Sequence, residues 1–360
     1  MTSNTSVLWS SDQDDQLQCI QVRSETADVK TFVFKGIGND GVARHFAYTA
    51  GQFGTFEFNI NGSTINRCYT WSSTPSRPDT VSITVKRVPN GVVSNWLHDN
   101  LKVGDIVNAL GPAGEFSCFV KPAAPQYLFV SGGSGITPLM SMARALHDAA
   151  STADVVFVHC ARTPRDVIFV QELALLAHNM VNFRLVLVVD SIDQQPWSGL
   201  VGRMSLNLLQ TIAPDFASRA VYTCGPAPFM NAVKTTLQST DYDMANYHEE
   251  SFSFESLNAS ATAAPILNTT DAATGFTISL AKQNKQLACP SNQTILKTAM
   301  DAGIRWPHSC ANGVCGTCKT KKISGEVEMH HNGGIRPREI REGWILPCCS
   351  KPLSDVVLEA

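Results

Sequence analysis

The chain has 360 residues, which is enough for two or three domains that each bury a core. Hydrophobic residues make up 44% and charged residues 16%, as in an ordinary globular protein rather than a disordered one. The formal net charge of −3 at pH 7 excludes the dense positive charge that nucleic-acid binding requires. The first residues contain no basic segment followed by a long apolar stretch, so we expect neither a signal peptide nor a membrane anchor.

The first third of the chain has the pattern of an all-β domain. Short alternating segments recur at Thr31–Phe34, Gly54–Asn59, Val81–Val88 and Asp105–Ala109, with turn signals between them. One helix is predicted at Ser94–Asn100. Many short strands at this spacing indicate a barrel or a sandwich.

From about residue 125 to residue 252 the pattern changes to strands that alternate with helices. A strand at Tyr127–Val130 leads into a Gly-rich turn and a helix at Pro138–Ala150. The elements predicted after it are, in order, Val155–Cys160, Asp166–His178, Phe183–Asp190, Ala220–Thr223 and Pro226–Leu237. This order predicts a parallel sheet that is covered by helices.

The segment 253–274 is rich in Ser, Ala, Thr and Asn and shows little periodicity, so we expect a flexible linker there. A small β-rich unit begins at Gly275. It contains one predicted helix, Thr294–Gly303, with Thr294 as the N-cap and Gly303 at the C-terminal end.

Five of the eleven cysteines lie in the last 51 residues, and such clustering points to a metal site. Cys310, Cys315 and Cys318 have the spacing C-x4-C-x2-C, and Cys348 follows thirty residues later. This is the plant-type 2Fe–2S pattern, in which four thiolates converge on two irons. A zinc site is the alternative, although zinc sites commonly use two C-x2-C pairs and only one is present. The absence of a signal peptide predicts a reducing, cytoplasmic compartment.

A tetrapeptide in the β domain, Arg67-Cys68-Tyr69-Thr70, carries groups that suit a flavin. The guanidinium of Arg67 suits a phosphate, the ring of Tyr69 can stack on a flat ring system, and the hydroxyl of Thr70 can form a hydrogen bond beside it. The same residues are often found on strand surfaces with no such role.

Two further segments offer backbone N–H groups to phosphates. Lys86 precedes a predicted helix start whose candidate binding residues are Gly91, Val93 and Ser94. In the α/β region, the turn 132–138 lies between a strand and a helix, and its candidate residues are Gly133, Gly135, Thr137 and Pro138. The turn lacks the Rossmann G-x-G-x-x-G spacing, and a plain Gly-rich turn is the alternative.

The order of these motifs resembles the ferredoxin reductase family with a C-terminal plant-type ferredoxin domain. The R-x-Y-[ST] tetrapeptide is similar to the family's flavin motif, and 132–138 is similar to its G-x-G-x-T-P motif. The resemblance implies a flavin β-barrel at 1–121, a nicotinamide α/β domain at 122–252, a linker at 253–274 and a β-grasp-like ferredoxin domain at 275–360.

The same resemblance implies further site residues. Cys224, Gly225 and Pro226 match the family's C-G-P segment near the nicotinamide ring, and Arg162 lies in a stretch that lines the nucleotide. Glu250 and Phe252 lie in the segment that approaches the flavin. Cys348, followed by Pro352, fits the fourth cluster ligand, with Cys349 as a substitute.

We therefore predict that electrons pass from NADH through FAD to a 2Fe–2S cluster, with Thr70, Cys224 and Glu250 as the catalytic residues. A flavin accepts a hydride and releases electrons singly, so it can join a two-electron donor to a one-electron acceptor. NADH is favoured over NADPH because Asp190, after the third strand of the α/β domain, would repel a 2′-phosphate. The resemblance favours FAD over FMN.

The electron acceptor is predicted from the resemblance alone. Reductase components of Rieske-type oxygenases that act on glycine betaine and related quaternary amines are the first expectation. The NADH oxidoreductase that serves hybrid-cluster protein is the second. A non-catalytic iron–sulfur carrier or redox sensor is the alternative from another class of protein. We expect no nucleic-acid or membrane partner.

Overall fold

The structure is a computed structural model that describes residues 7–12, 16–38, 40, 42–120, 124–252, 275–304, 306–308 and 310–360. The linker predicted at 253–274 lies outside the described residues. Within the described ranges the α-helices are α1 (Val92–Asn100), α2 (Ile136–Asp148), α3 (Val170–Asn179), α4 (Leu206–Ile212), α5 (Ala227–Gln238), α6 (Ile295–Asp301) and α7 (Pro337–Arg341). None of the helices in this part of the chain is long and apolar enough to cross a membrane.

The first domain is an antiparallel barrel. Its strands are β1 (Gln16–Thr26), β2 (Val29–Ile37), β3 (Ala43–Arg44), β4 (Phe53–Ile60), β5 (Ser63–Thr70), β6 (Val81–Lys86) and β7 (Ile106–Ala113). The strand order is β3-β2-β1-β7-β4-β5, and β6 also pairs with β2. An antiparallel bridge between Trp71 and Ile83 joins the ends of this path, and rings such as those of Phe32, Phe34 and Phe56 fill the interior. The predicted β-barrel is confirmed.

The second domain is a parallel six-stranded sheet with the order β11-β10-β9-β8-β12-β13. Its strands are β8 (Gln126–Gly132), β9 (Asp154–Ala161), β10 (Phe183–Val189), β11 (Leu200–Val201), β12 (Ala220–Cys224) and β13 (Tyr247–Glu250). Buried side chains of α2 and α3 pack on one face, and those of α4 and α5 pack on the other. The predicted parallel sheet covered by helices is confirmed.

Three local predictions in this domain differ from the structure. The helix predicted at Asp166–His178 is divided: a short 3₁₀ turn spans Pro164–Asp166, and α3 begins only after Phe169, whose φ of 57° interrupts the helical path. Helix α2 begins two residues earlier than the predicted start. Helix α4 was not predicted, although Ser205 caps it by accepting a hydrogen bond from the Leu208 N–H at 3.3 Å.

The third domain has the predicted β-grasp-like character. Its strands are β14 (Gly275–Leu280), β15 (Lys285–Pro290), β16 (Thr320–Ser324), β17 (Val327–Met329), β18 (Trp344–Ile345), β19 (Ser350–Pro352) and β20 (Val356–Leu358). Five of them form a mixed sheet in the order β15-β14-β20-β16-β18, and β17 pairs with β19. The predicted helix is α6, which Thr294 caps at Lys297 N, and Ile295, Leu296 and Ala299 bury it against the sheet.

The N-terminal segment attaches the third domain to the barrel. The Asp12 carboxylate accepts the Arg338 N–H at 2.8 Å and pairs with Arg341 at 3.1 Å, and the Arg336 guanidinium donates to the Ser11 carbonyl at 3.1 Å. Ion pairs in contact with water add little to stability. They therefore fix the orientation of the third domain more than they raise its stability.

Candidate electron-transfer site

A cavity of about 360 Å³ lies where the barrel meets the Gly-rich turn of the second domain. Nine of its lining residues were predicted from the sequence: Arg67, Tyr69, Thr70, Lys86, Gly91, Val93, Ser94, Thr137 and Phe252. The others are Cys68, Thr84, Val85, Val88, Val92 and Ser134. Thr84 is two residues from Lys86 on β6, and the period of two in a strand could have revealed it.

The residues around this cavity fit a flavin that carries phosphates. Arg67 and Lys86 supply positive charge, although Lys86 Nζ also lies 3.4 Å from the Asp28 carboxylate. Helix α1 begins at the cavity with Gly91 as its N-cap, and Gly91 has no side chain to occupy the first N–H groups. Because these N–H groups have no intrahelical acceptors, they are available to an anion.

Two polar atoms close to this cavity are buried and have no hydrogen-bond partner in the described part of the chain: Thr70 Oγ1 and Glu250 Oε2. Both residues also line a second, smaller cavity of about 80 Å³, together with Cys68, Phe252 and Val314. Buried polar atoms rarely remain unpaired in a native protein. Their presence at the cavity wall fits a ligand that forms hydrogen bonds, as a flavin ring does.

The carboxyl group of Glu250 is shielded from water although the residue as a whole is half-buried. This desolvation raises the pKa of Glu250 to about 8, and the nearby Thr70 hydroxyl acts in the opposite direction. The carboxyl group is therefore mainly protonated at pH 7. It can hold a proton at the boundary between the first two domains.

The C-G-P segment and the Gly-rich turn pack backbone against backbone. A Cβ atom at Gly135 would collide with the Cys224 carbonyl, and one at Gly225 would lie 3.1 Å from Gly132 Cα. Cys224 is fully buried at the end of β12, directly opposite Glu250 of β13, and burial raises the pKa of its thiol. The structure thus places Cys224 and Gly225 beside the turn.

The remaining predicted nucleotide residues follow strands of the second sheet. Pro138 lies buried in the first turn of α2, and Pro226 is the N-cap of α5. Arg162 comes directly after β9, where Cys160 pairs with Gly132 at the start of the Gly-rich turn. Its guanidinium lies 2.8 Å from Asp166 and 3.2 Å from Asp28 of the barrel, so it bridges two domains. Its role in nucleotide binding stays a prediction.

The four predicted cluster ligands are buried in the third domain, three of them in the loop 310–318, here called the cluster loop. Backbone N–H groups point at their sulfurs: those of Val314 and Cys315 lie 3.2 and 3.3 Å from Cys310 Sγ, and that of Gly313 lies 3.2 Å from Cys348 Sγ. Hydrogen bonds to the ligand sulfurs are one way in which a protein tunes an iron–sulfur cluster. Gly313 has a φ of 76°, which a residue with a side chain rarely adopts.

The adjacent Cys349 is placed differently from Cys348. It is half-buried, and its thiol donates to the Leu346 carbonyl at 3.5 Å. Among the described residues no group of three or more His, Cys, Asp or Glu side chains is arranged to hold a single metal ion.

Comparison with known proteins defines the class. The chain matches family models for an oxidoreductase FAD-binding domain at residues 16–118, an oxidoreductase NAD-binding domain at 129–235 and a 2Fe–2S iron–sulfur cluster binding domain at 278–353. With the barrel, the parallel sheet and the ferredoxin domain in this order, the protein is an electron-transfer flavoprotein that binds FAD, NAD and a 2Fe–2S cluster.

Individual relatives resemble the chain over almost its whole length. A glycine betaine monooxygenase reductase subunit of Pseudomonas aeruginosa is 42% identical, covering 95% of this chain and 94% of its own. A stachydrine N-demethylase reductase subunit of Rhizobium meliloti is 39% identical, covering 96% of each chain. An NADH oxidoreductase of Escherichia coli is 32% identical, covering 95% and 97%.

The solved structure of a phthalate dioxygenase reductase is also similar, with a TM-score of 0.55 and 25% identity, covering 98% of this chain and 100% of that chain. The chain belongs to the family of reductases that join FAD-binding, NAD-binding and 2Fe–2S domains, which includes the reductase subunits of multicomponent monooxygenases.

The choice between Cys348 and Cys349 can be tested directly. Cys348→Ser should abolish cluster binding, because serine replaces a sulfur to which Gly313 donates. Cys349→Ser should retain the cluster, because the serine hydroxyl can still donate to the Leu346 carbonyl and the sulfur that receives the Gly313 N–H is that of Cys348. Iron and acid-labile sulfide content, with the visible spectrum, measure both. Loss of iron in Cys349→Ser with full iron in Cys348→Ser would reverse the assignment.

The raised pKa of Glu250 predicts how stability depends on pH. Between pH 4.5 and about 8 the folded state retains a proton that the unfolded state has released, so stability falls as the pH rises through this range. Glu250→Gln carries no such penalty. The unmodified protein loses about 1.4 kcal/mol of unfolding free energy for each pH unit in this range. The difference in melting temperature, variant minus unmodified protein, should therefore increase by several degrees between pH 6 and pH 8.5.

Flavin fluorescence during thermal unfolding measures this difference. Glu249→Gln is the matched control, since that neighbouring carboxylate is exposed and pairs with Lys234 at 2.7 Å. The control should show no such rise. A pH-independent difference for Glu250→Gln would show that the carboxyl group titrates normally.

Proposed function

We propose that the protein is the NADH-dependent reductase component of a monooxygenase whose Rieske-type terminal oxygenase N-demethylates glycine betaine or a related quaternary amine. The observation that carries this proposal is the similarity, at 42% and 39% identity over nearly the whole chain, to two reductase subunits. Their names refer to glycine betaine and stachydrine, which are both N-methylated quaternary ammonium compounds. A terminal oxygenase is therefore the proposed electron acceptor.

The proposed route uses groups that the fold brings together. Arg67, Lys86 and the start of α1 would hold the FAD phosphates, with Tyr69 against the ring system. The Gly-rich turn and the C-G-P segment would hold the nicotinamide nucleotide. Bound flavin would convert the two electrons of a hydride into single electrons. The four cysteines would hold the cluster that receives them.

Thr70, Cys224 and Glu250 are the residues that we propose to act at the reacting centre. Their side chains lie at the ends of β5, β12 and β13, which meet at the boundary between the first two domains. Thr70 and Glu250 offer unpaired polar atoms, and the protonated Glu250 carboxyl can donate a hydrogen bond. Phe252 lies beside these residues, since it lines both the larger and the smaller cavity.

A second candidate is the reduction of hybrid-cluster protein, which the 32% identity to an NADH oxidoreductase supports. The lower identity places this function behind the first. A non-catalytic iron–sulfur carrier is less well supported, because the Gly-rich turn and the C-G-P segment are both intact and are packed together.

NADH is the proposed donor because of Asp190. This residue follows β10, and its carboxylate lies 3.8 Å from the Arg203 guanidinium, with both side chains largely in water. A carboxylate at this place favours a ribose hydroxyl over a 2′-phosphate. Arg162 does not offset this preference, since two carboxylates already surround its guanidinium.

We also propose domain boundaries near residues 121, 252 and 275, which the three family matches and the separate core of the third domain support. The proposed location is the cytoplasm. None of the eleven cysteines forms a disulfide bond in the structure, as expected for a protein in a reducing compartment.

Reconstitution tests the proposed acceptor. The reductase is mixed with the terminal oxygenase of a glycine betaine monooxygenase, NADH and oxygen, and formaldehyde is measured. Formaldehyde release that depends on every component is expected, and Cys318→Ser, which should lack the cluster, is the negative control. No formaldehyde, together with anaerobic reduction of nitric oxide by added hybrid-cluster protein, would favour the second candidate.

The donor preference has its own test. Asp190→Ala should raise kcat/KM for NADPH relative to NADH about fivefold, because removing an exposed charge is worth at most about 1 kcal/mol. Ferricyanide reduction by the two nucleotides measures the ratio. Asp193→Ala, an exposed neighbour, is the matched control and should leave the ratio unchanged. An unchanged ratio in Asp190→Ala would remove Asp190 from the specificity site.

A further inference from the structure

The cluster loop is joined to the barrel by two hydrogen bonds whose donors lie outside the motifs found in the sequence. The Thr55 hydroxyl donates to the Val314 carbonyl at 3.1 Å, and the Asn66 side-chain amide donates to the Cys315 carbonyl at 3.2 Å. Thr55 is only 2% exposed. The two accepting carbonyls belong to Cys315, which is a predicted cluster ligand, and to Val314, which precedes it.

The two donors lie on paired strands directly beside the flavin motif. Thr55 of β4 is opposite Cys68 of β5, and Asn66 precedes Arg67. Cys68 in turn lines both the larger cavity and the smaller one. Strand β5 thus contributes both to the wall of the flavin cavity and to the attachment of the cluster loop.

A continuous polar connection runs from that wall to the loop. The Cys68 sulfur lies 3.4 Å from Thr55 Oγ1, and burial raises the pKa of Cys68 to about 12, so its thiol remains protonated. A protonated thiol can donate to Thr55 Oγ1, which leaves the hydroxyl proton of Thr55 for the Val314 carbonyl. Thr55 therefore has a partner on each side.

Backbone contacts show how closely the third domain approaches the barrel. A Cβ atom at Gly333 would collide with Ala113 of β7, and one at Gly316 would collide with the Gly334 carbonyl and lie 3.5 Å from Asn66 Nδ2. Such contacts limit the approach but do not set its direction. Hydrogen bonds are directional, so the two bonds to the Val314 and Cys315 carbonyls can fix the orientation of the cluster loop, which packing alone does not fix.

We infer that Thr55 and Asn66 are positioning residues that hold the cluster loop against the flavin cavity and so set the rate of electron transfer from flavin to cluster. This inference rests on the proposed function. Neither residue belongs to the proposed nucleotide or flavin sites. Without the two bonds, the domain would occupy its docked position for less of the time, and the transfer step would slow.

The test uses anaerobic stopped-flow mixing of each holoenzyme with NADH, recording flavin and cluster bands separately. Thr55→Val, which keeps the volume but removes the hydroxyl, and Asn66→Ala should each slow cluster reduction about threefold. The double variant should slow it about tenfold, which equals about 1.4 kcal/mol and matches the loss of one or two hydrogen bonds. The rate of flavin reduction should not change.

Two matched controls separate positioning from general damage. Thr55→Ser retains the hydroxyl and should keep the rate of the unmodified protein. Thr64→Val removes a hydroxyl from an exposed position on the same strand as Asn66 and should have no effect. Asn66→Asp keeps the size of the side chain but cannot donate to Cys315, so it should slow cluster reduction at least as much as Asn66→Ala.

A second readout does not depend on activity. Amide hydrogen exchange in the cluster loop of the oxidised holoenzyme should be about tenfold faster in the double variant, because undocking exposes the loop to water. Faster exchange together with slower cluster reduction supports the inference. Unchanged exchange and unchanged cluster reduction in the double variant would overturn it, as would loss of iron from the variants, which would make the residues necessary for cluster assembly.

The outcome is also distinguishable from a failure of the proposed function. If NADH reduced neither flavin nor cluster in the unmodified protein, the proposed function would be wrong. The exchange measurement would still report whether Thr55 and Asn66 dock the loop.

Discussion

The structure depends on one constraint: residues of all three domains meet around one small cavity. The pairing of β12 with β13 puts Cys224 opposite Glu250, and Glu250 and Thr70 line the same small cavity as Val314 of the cluster loop. The first two domains share a core, since Val29 and Ala50 of the barrel belong to the same cluster as residues of α2, whereas the third domain has a core of its own. Electron transfer between the domains requires that their binding sites lie close together. Polar contacts at the domain boundary determine that distance.

The contacts at that boundary are of a particular kind. The third domain meets the barrel through the ion pairs of Asp12, the hydrogen bond to Ser11 and the two carbonyls of the cluster loop. These contacts are hydrogen bonds and ion pairs, and such polar contacts are common between domains whose relative position can change. Such an interface suits a domain that receives electrons on one side and delivers them to a second protein.

Sequence patterns predicted the three domains because each pattern reports local physics. Alternation predicted the barrel strands, the strand–helix order predicted the parallel sheet, and the spacing of Cys310, Cys315 and Cys318 predicted the cluster domain. Thr55 and Asn66 were missed because their partners are about 250 residues away along the chain. The raised pKa of Glu250 was equally hidden, since it arises from burial between domains. The interruption of the predicted helix at Phe169 depends on a positive φ angle, which the preferences of the residues in this segment do not predict.

The most direct test of the account is an anaerobic titration of the purified protein with NADH while the visible spectrum is recorded. The account predicts that substoichiometric NADH bleaches the flavin and the iron–sulfur bands together, because the flavin cavity and the cluster loop share a wall. A spectrum without flavin, or flavin bleaching that never reaches an intact cluster, would contradict it.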